Sequence, residues 1–173
     1  MALLEIKLFP DPVLRVECPE IEQFDAELEK LAGDMVETMY AAPGIGLAAP
    51  QVGVELRLAV VDLSVGEEPG NAHVLINPRL LATDGEDTDL EGCLSMPGIT
   101  EKVKRPESIR VEACDLSGNL RSFEADGLLA RAIQHEIDHL DGVLFTDHLT
   151  GLRRERARRW MKKVDRELRR FPE

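Results

Sequence analysis

The sequence predicts an α+β fold: mostly antiparallel β-sheets around a central metal-binding helix, with a further helix at the C-terminus. Three observations carry this. Leu28, Leu31, Met35 and Met39 recur at steps of three and four, the spacing of an amphipathic helix over residues 25–42. Residues 109–114 and 120–125 are strand-like runs joined by Asp115-Leu116-Ser117-Gly118-Asn119, which has the composition of a hairpin turn. Residues 126–140 then read as a helix that carries two histidines four positions apart.

Taken in chain order, Pro10, Pro12 and Pro19 restrict helix formation and predict an extended start. Asp25 is the expected N-cap of the first helix, and Pro43-Gly44 ends it. Gly44-Ile45-Gly46-Leu47-Ala48-Ala49-Pro50-Gln51 follows, a small-residue segment that another chain can approach closely. Residues 56–63 read as a buried strand, 64–71 as a polar loop, and 73–77 as a second strand stopped by Pro78. The acidic stretch 83–89 reads as an exposed loop, and 91–95 as a loop-to-strand segment. After the hairpin, Asp126 is the expected cap of the central helix and Gly142 its terminator. An arginine-rich helix starts near Thr150. With 173 residues and neither repeat nor linker, one catalytic domain over 1–150 is expected, with 151–173 as a basic helix packed on or extending from it.

Charge and composition exclude several classes. The formal charge is −12, which argues against a dedicated nucleic-acid binder and against DNA as a partner. The total hides an asymmetry: residues 151–173 carry +6 and the rest −18. No apolar run approaches the roughly 18–20 residues of a membrane span. Met1-Ala2-Leu3-Leu4-Glu5-Ile6-Lys7 does not look like a secretory leader. Three widely spaced cysteines, Cys18, Cys93 and Cys114, suggest free thiols in a reducing cytoplasm.

The chemistry concentrates in His135-Glu136-Ile137-Asp138-His139, a His-Glu-x-x-His (HEXXH) pattern. Histidines at i and i+4 face one side of a helix and reach one ion, and the glutamate can handle a proton on water beside it. A third ligand is needed. His148 and nearby acids are candidates downstream; upstream, Cys93 in Glu91-Gly92-Cys93-Leu94-Ser95 would complete a Cys-His-His set. Cys18 and Cys114 read as ordinary buried thiols. Gln51 closes the glycine segment, which is either a tight connection or a wall where a peptide backbone docks beside an amide N–H donor.

Together these segments resemble the three motifs of the peptide deformylases, in the same order and spacing: Gly44 to Gln51, Glu91 to Ser95, and Gln134 to His139 continued by Leu140-Asp141-Gly142. The resemblance implies hydrolytic removal of the formyl group from N-formylmethionine at the start of nascent polypeptides, with release of formate. It implies Cys93, His135 and His139 as metal ligands, Glu136 as general base and then acid, and the Gln51 side chain with the Leu94 backbone N–H as oxyanion donors. Ile45, Gly46 and Gly92 would pair with the substrate backbone. Leu128 and Ala132, seven and three residues before His135, would line the methionine pocket on the same helix face. The family points to Fe2+, although the donors suit Zn2+ or another divalent ion equally. Arg105 and Glu91 are a candidate supporting ion pair. Thr100 stands where some members place a basic residue.

Two other readings fit parts of the sequence. A HEXXH peptidase needs neither Cys93 nor Gln51, and a silent homologue acting as a ribosome-associated module needs no intact motifs. The ten basic residues between Arg153 and Arg170 form either a solvated face or a ribosome contact, with Leu152, Trp160, Val164 and Leu168 as packing positions.

Overall fold

Helix α1 (Ala26–Ala41) begins where expected, with the Asp25 side chain accepting from the Leu28 N–H. Its apolar stripe, Leu28, Ala32, Met35 and Met39, packs on Leu47, Leu58, Val60 and Ile76. In this computed structural model, which describes residues 2–170, those residues belong to one face of a five-stranded antiparallel sheet. The sheet comprises β1 (Gly46–Ala48), β2 (Leu58–Val61), β3 (His73–Asp84), β6 (Ser108–Cys114) and β7 (Leu120–Asp126), in that spatial order. Strand β2 is buried throughout, because Leu58 and Val60 face α1 while Val61 faces the opposite side. A continuous apolar run is what burial on both faces demands.

Helix α2 (Gly127–Leu140) covers that opposite side. Ala130, Ile133 and Ile137 pack against Val61, Leu75, Val111 and Ala113. Strands β4 (Asp87–Cys93) and β5 (Met96–Arg105) form a separate two-stranded sheet. Met96, Ile99 and Val103 of β5 pack with Phe145, Leu149 and Ala157, the last from helix α3 (Gly151–Arg170). Fully burying one such large apolar side chain contributes about 1.5–3 kcal/mol. No helix among the described residues is long and apolar enough to cross a membrane.

Several expectations need correction. The N-terminal segment is not wholly extended: Pro12–Arg15 is a 3-10 turn capped by Asp11. The predicted strand 56–63 is shorter. Pro78 does not stop β3, because it falls where the β3–β6 register shifts. There Asn77 takes φ 51°, and its amide bonds to both Ile21 N–H and Ile21 C=O. A proline costs no ladder bond at such a bulge. The acidic stretch 83–89 is not a loop but the tight connection from β3 to β4 through Gly85 and Glu86. Asp126 occupies the N-cap position of α2, yet its side chain makes no capping bond. On α3, Trp160 packs 5.7 Å from Phe9, whereas Leu152 and Leu168 are exposed and not packing positions. Arg156 stays exposed on α3 but makes two bonds to Glu101, at 2.5 and 2.8 Å. Residues 171–173 of the predicted helical segment lie outside the described residues.

Candidate active site

Helix α2 carries two donors one turn apart, and β4 ends at the third. The Cys93 Sγ lies 3.3 Å from His139 Nε2, which lies 3.2 Å from His135 Nε2. The ligand atoms of all three residues fall within 4.8 Å of one another. His148, the alternative third ligand, instead bonds Asp138 at 2.7 Å. Cys18 is buried and Cys114 half-buried, and both are free thiols outside the group.

Glu91 decides which atoms converge. Burial works against its charge, but bonds from Arg105 and His135 outweigh this and hold the carboxyl at about 2. An ionised carboxylate only accepts, so His135 Nδ1–H must donate to Glu91 Oε1 across 2.9 Å. Burial opposes a charge on the ring, but the bonds to Cys93 and Glu91 outweigh it and raise the His135 pKa well above its usual value; in the neutral ring that a metal requires, Nε2 is the nitrogen left with a lone pair. Arg105 supplies Nε and Nη2 to Glu91 at 2.6 and 2.8 Å, so the expected pair is present and buried. Phe145 stacks 6.0 Å from the His135 ring. Burial lowers the His139 pKa well below its usual value and favours the neutral imidazole, and its Nδ1 has no partner among the described residues. Two imidazole nitrogens and a sulfur crowded together suit a borderline-soft divalent ion in a tetrahedral or related site. The residues present therefore fit a metal.

Glu136 follows His135 on α2. Its Oε2 is buried without a hydrogen-bond partner among the described residues, and burial pushes the carboxyl up to about 7 despite the His135 and Arg105 charges. A Cβ on Gly46 would collide with the Glu136 carboxyl, so only glycine in β1 leaves it room.

Gln51 sits in a 3-10 turn, Ala49–Val52. The Ala48 N–H donates to its Oε1 at 2.9 Å, which points Nε2 toward Ser95 Oγ at 3.2 Å and Cys93 Sγ at 3.6 Å. The side chain is 1% exposed, so this orientation is held by packing as well as bonding.

A cleft of about 370 Å³ opens onto this group. Ile45, Gly46 and Gln51 form one wall, Gly92, Cys93 and Leu94 another, and Leu128, Ala132, His135 and Glu136 the helical floor. Of the residues expected as ligands, catalytic groups or substrate contacts, all line it except His139, which is buried; Arg105 and Thr100 do not line it. Two residues were missed. Leu90 is an exposed apolar residue at the rim, and Arg131 is buried in the wall with four hydrogen bonds. For Arg131 a signal existed: it precedes His135 by four and so shares its helix face.

Fold and site together define a hydrolase in which a buried glutamate stands beside a group of residues suited to a metal. Comparison with known proteins makes this specific. A family model described as polypeptide deformylase matches residues 3–155. A peptide deformylase of Thermodesulfovibrio yellowstonii is 51% identical over 162 residues, covering 94% of this chain and 98% of that one. One of Hydrogenovibrio crunogenus is 52% identical over 163 residues, covering 94% and 95%. The crystal structure of a peptide deformylase from Legionella pneumophila superimposes with a TM-score of 0.88 at 43% identity, covering 99% of this chain and all of that one. The chain belongs to the polypeptide deformylase family, metal-dependent enzymes that remove the formyl group from N-formylmethionine of nascent peptides.

Proposed function

We propose that this chain performs deformylation with Cys93, His135 and His139 as the metal ligands and Glu136 as the proton-transfer group. The observation that carries the reading is the convergence of Sγ and two Nε2 atoms beside a buried carboxyl, at the inner end of one cleft. A divalent ion held there supplies Lewis-acid polarisation and the means to deprotonate water near neutral pH.

The chain's own groups do the rest. Strands β1 and β4 each pair on one side only, which leaves backbone edges at Ile45, Gly46 and Gly92 for an extended peptide to join. Leu128 and Ala132 receive the methionine side chain between them. The formyl oxygen lies where the Gln51 Nε2–H and the Leu94 N–H can donate as negative charge develops on it. Glu136 takes the proton from the attacking water and delivers it to the leaving amine, so that formate and a free N-terminus separate.

In this reading residues 1–150 hold the whole catalytic apparatus, and 151–173 are a basic helix laid against β5. Its charge suits contact with the ribosome, which would present the N-formylmethionyl substrate. The cytoplasm fits three free thiols and a substrate made there. Fe2+ is the proposed ion, on family grounds; Zn2+ would fit the same donors.

Matched N-formylmethionyl and unformylated methionyl peptides test the reaction. Formate release from the first, with no backbone cleavage of either, is the expected result; peptide-bond cleavage would overturn it. Metal analysis of protein purified without air tests the ion. Glu136→Ala is expected to keep its metal and lose turnover, and wild-type-like activity in that variant would sink the assignment.

A further inference from the structure

The two histidine donors are held together by one helix, but the cysteine donor is not. Cys93 ends β4, which belongs to the two-stranded sheet and makes no ladder bond to the main sheet. Side chains between that small sheet and α2 must therefore set how far Cys93 stands from His135 and His139.

Arg131 makes this connection most fully. From α2 its Nη1 donates to Glu91 Oε2 at 2.6 Å and to the Val103 C=O of β5 at 2.8 Å. Its Nη2 donates to the Asp87 C=O at 3.1 Å and to Asp87 Oδ2 at 3.2 Å. One guanidinium thus grips the start of β4, Glu91 two residues before that strand's end, and Val103 near the end of β5. Arg105 shares Glu91 but comes from β5 itself and divides its bonds with Asp138 at 2.9 Å. A buried guanidinium is costly unless its donors are used, and here both terminal nitrogens are used twice. We propose that Arg131 is a positioning residue for deformylation: by clamping Glu91 and tying β4 and β5 to α2, it sets the spacing of the Cys93 and histidine donors. The proposal rests on the reading of those three residues as the ligand set.

Loss of this clamp removes one of the two bonds on Glu91 Oε2 and leaves Arg105 as the carboxylate's one guanidinium partner, so that Glu91, which orients His135, is held less firmly and β4 can drift from the helix. Partners of this kind behind metal ligands typically change metal affinity by about 10–100-fold. The test compares wild type, Arg131→Met and Met35→Ala, each loaded with Co2+. Met35→Ala removes a fully buried side chain from the α1 face of the sheet and is the control for general destabilisation. Co2+ release to a coloured chelator and the visible spectrum of bound Co2+ are read alongside Tm.

Arg131→Met is expected to release Co2+ about tenfold faster or more and to shift the spectrum, with neither change in Met35→Ala. Wild-type release and spectrum in Arg131→Met, or equal acceleration in Met35→Ala, would overturn the proposal. If Arg131→Met does not fold, Arg131→Lys decides, since one ammonium keeps the charge but cannot span Asp87 and Val103 together. Faster release then supports the clamp and unchanged release dismisses it. Failure of the wild type itself to take up one Co2+ would defeat the ligand assignment and this inference with it.

Discussion

Gly46 and Glu136, ninety residues apart in sequence, are in contact across the floor of the cleft, with no room for a Cβ between them. The glycine is required by this approach to a carboxyl and not by a turn. Gly46→Ala is therefore expected to displace Glu136 and lower kcat/KM by about 10²-fold, the scale of a 1 Å misplacement. Formate-release kinetics beside a thermal melt check it, because Tm should move far less than activity.

Gln51 is oriented before substrate arrives, by the Ala48 N–H on its Oε1. Gln51→Ala removes the donor, together with its 3.6 Å contact to Cys93 Sγ, and leaves all three ligand residues in place. The expected outcome is a fall in kcat of about 10²–10³ with metal content unchanged. Wild-type kcat in a metal-replete sample would rule the donor role out.

Asp62 anchors the loop behind Ile45. It is fully buried and accepts from Tyr40 Oη at 2.6 Å, Ser64 Oγ at 2.7 Å, Ser64 N–H at 2.8 Å and Gly66 N–H at 3.1 Å. Burial opposes its charge, but these bonds prevail and hold the carboxyl at about 2, against 3.8 unperturbed. A depressed pKa contributes stability that is complete above the unfolded value and lost as pH falls through the folded one. Asp62→Asn should lower Tm at neutral pH and flatten the loss of stability between about pH 4 and 2. Urea midpoints across that range measure the difference.

Gly142 ends α2 at φ 71°, with the Arg15 carbonyl oxygen 2.6 Å from where a Cβ would stand. The obstacle is backbone and cannot swing away. Gly142→Ala is expected to destabilise by more than about 1 kcal/mol, since the residue meets both a clash and an unfavourable φ. Denaturant unfolding reads the loss, and activity per folded molecule should be retained.

Much of the site was legible because its signals are short. His135 and His139 share a face by helical spacing alone, and Asp25, Leu28, Met35 and Met39 mark α1 by the same rule. The small sheet was not legible. From Ile99 to Arg105 strand β5 alternates strictly, but its buried face there presents Glu101 and Arg105 beside Ile99 and Val103. A period of two in hydrophobicity is invisible when half the inward residues are charged. Their partners, Arg156 and Glu91, lie 55 and 14 residues away.

By itself, then, the sequence determined which residues could meet a metal, which segments are helices, and where the hairpin turns, because each depends on neighbours within a few positions. Tertiary structure decided how Cys93 reaches the histidines, why Gly46 must be glycine, and that Arg131 is a buried clamp. Those depend on buried charges finding partners from distant segments, and a low-dielectric interior makes such pairing compulsory only once the chain has folded.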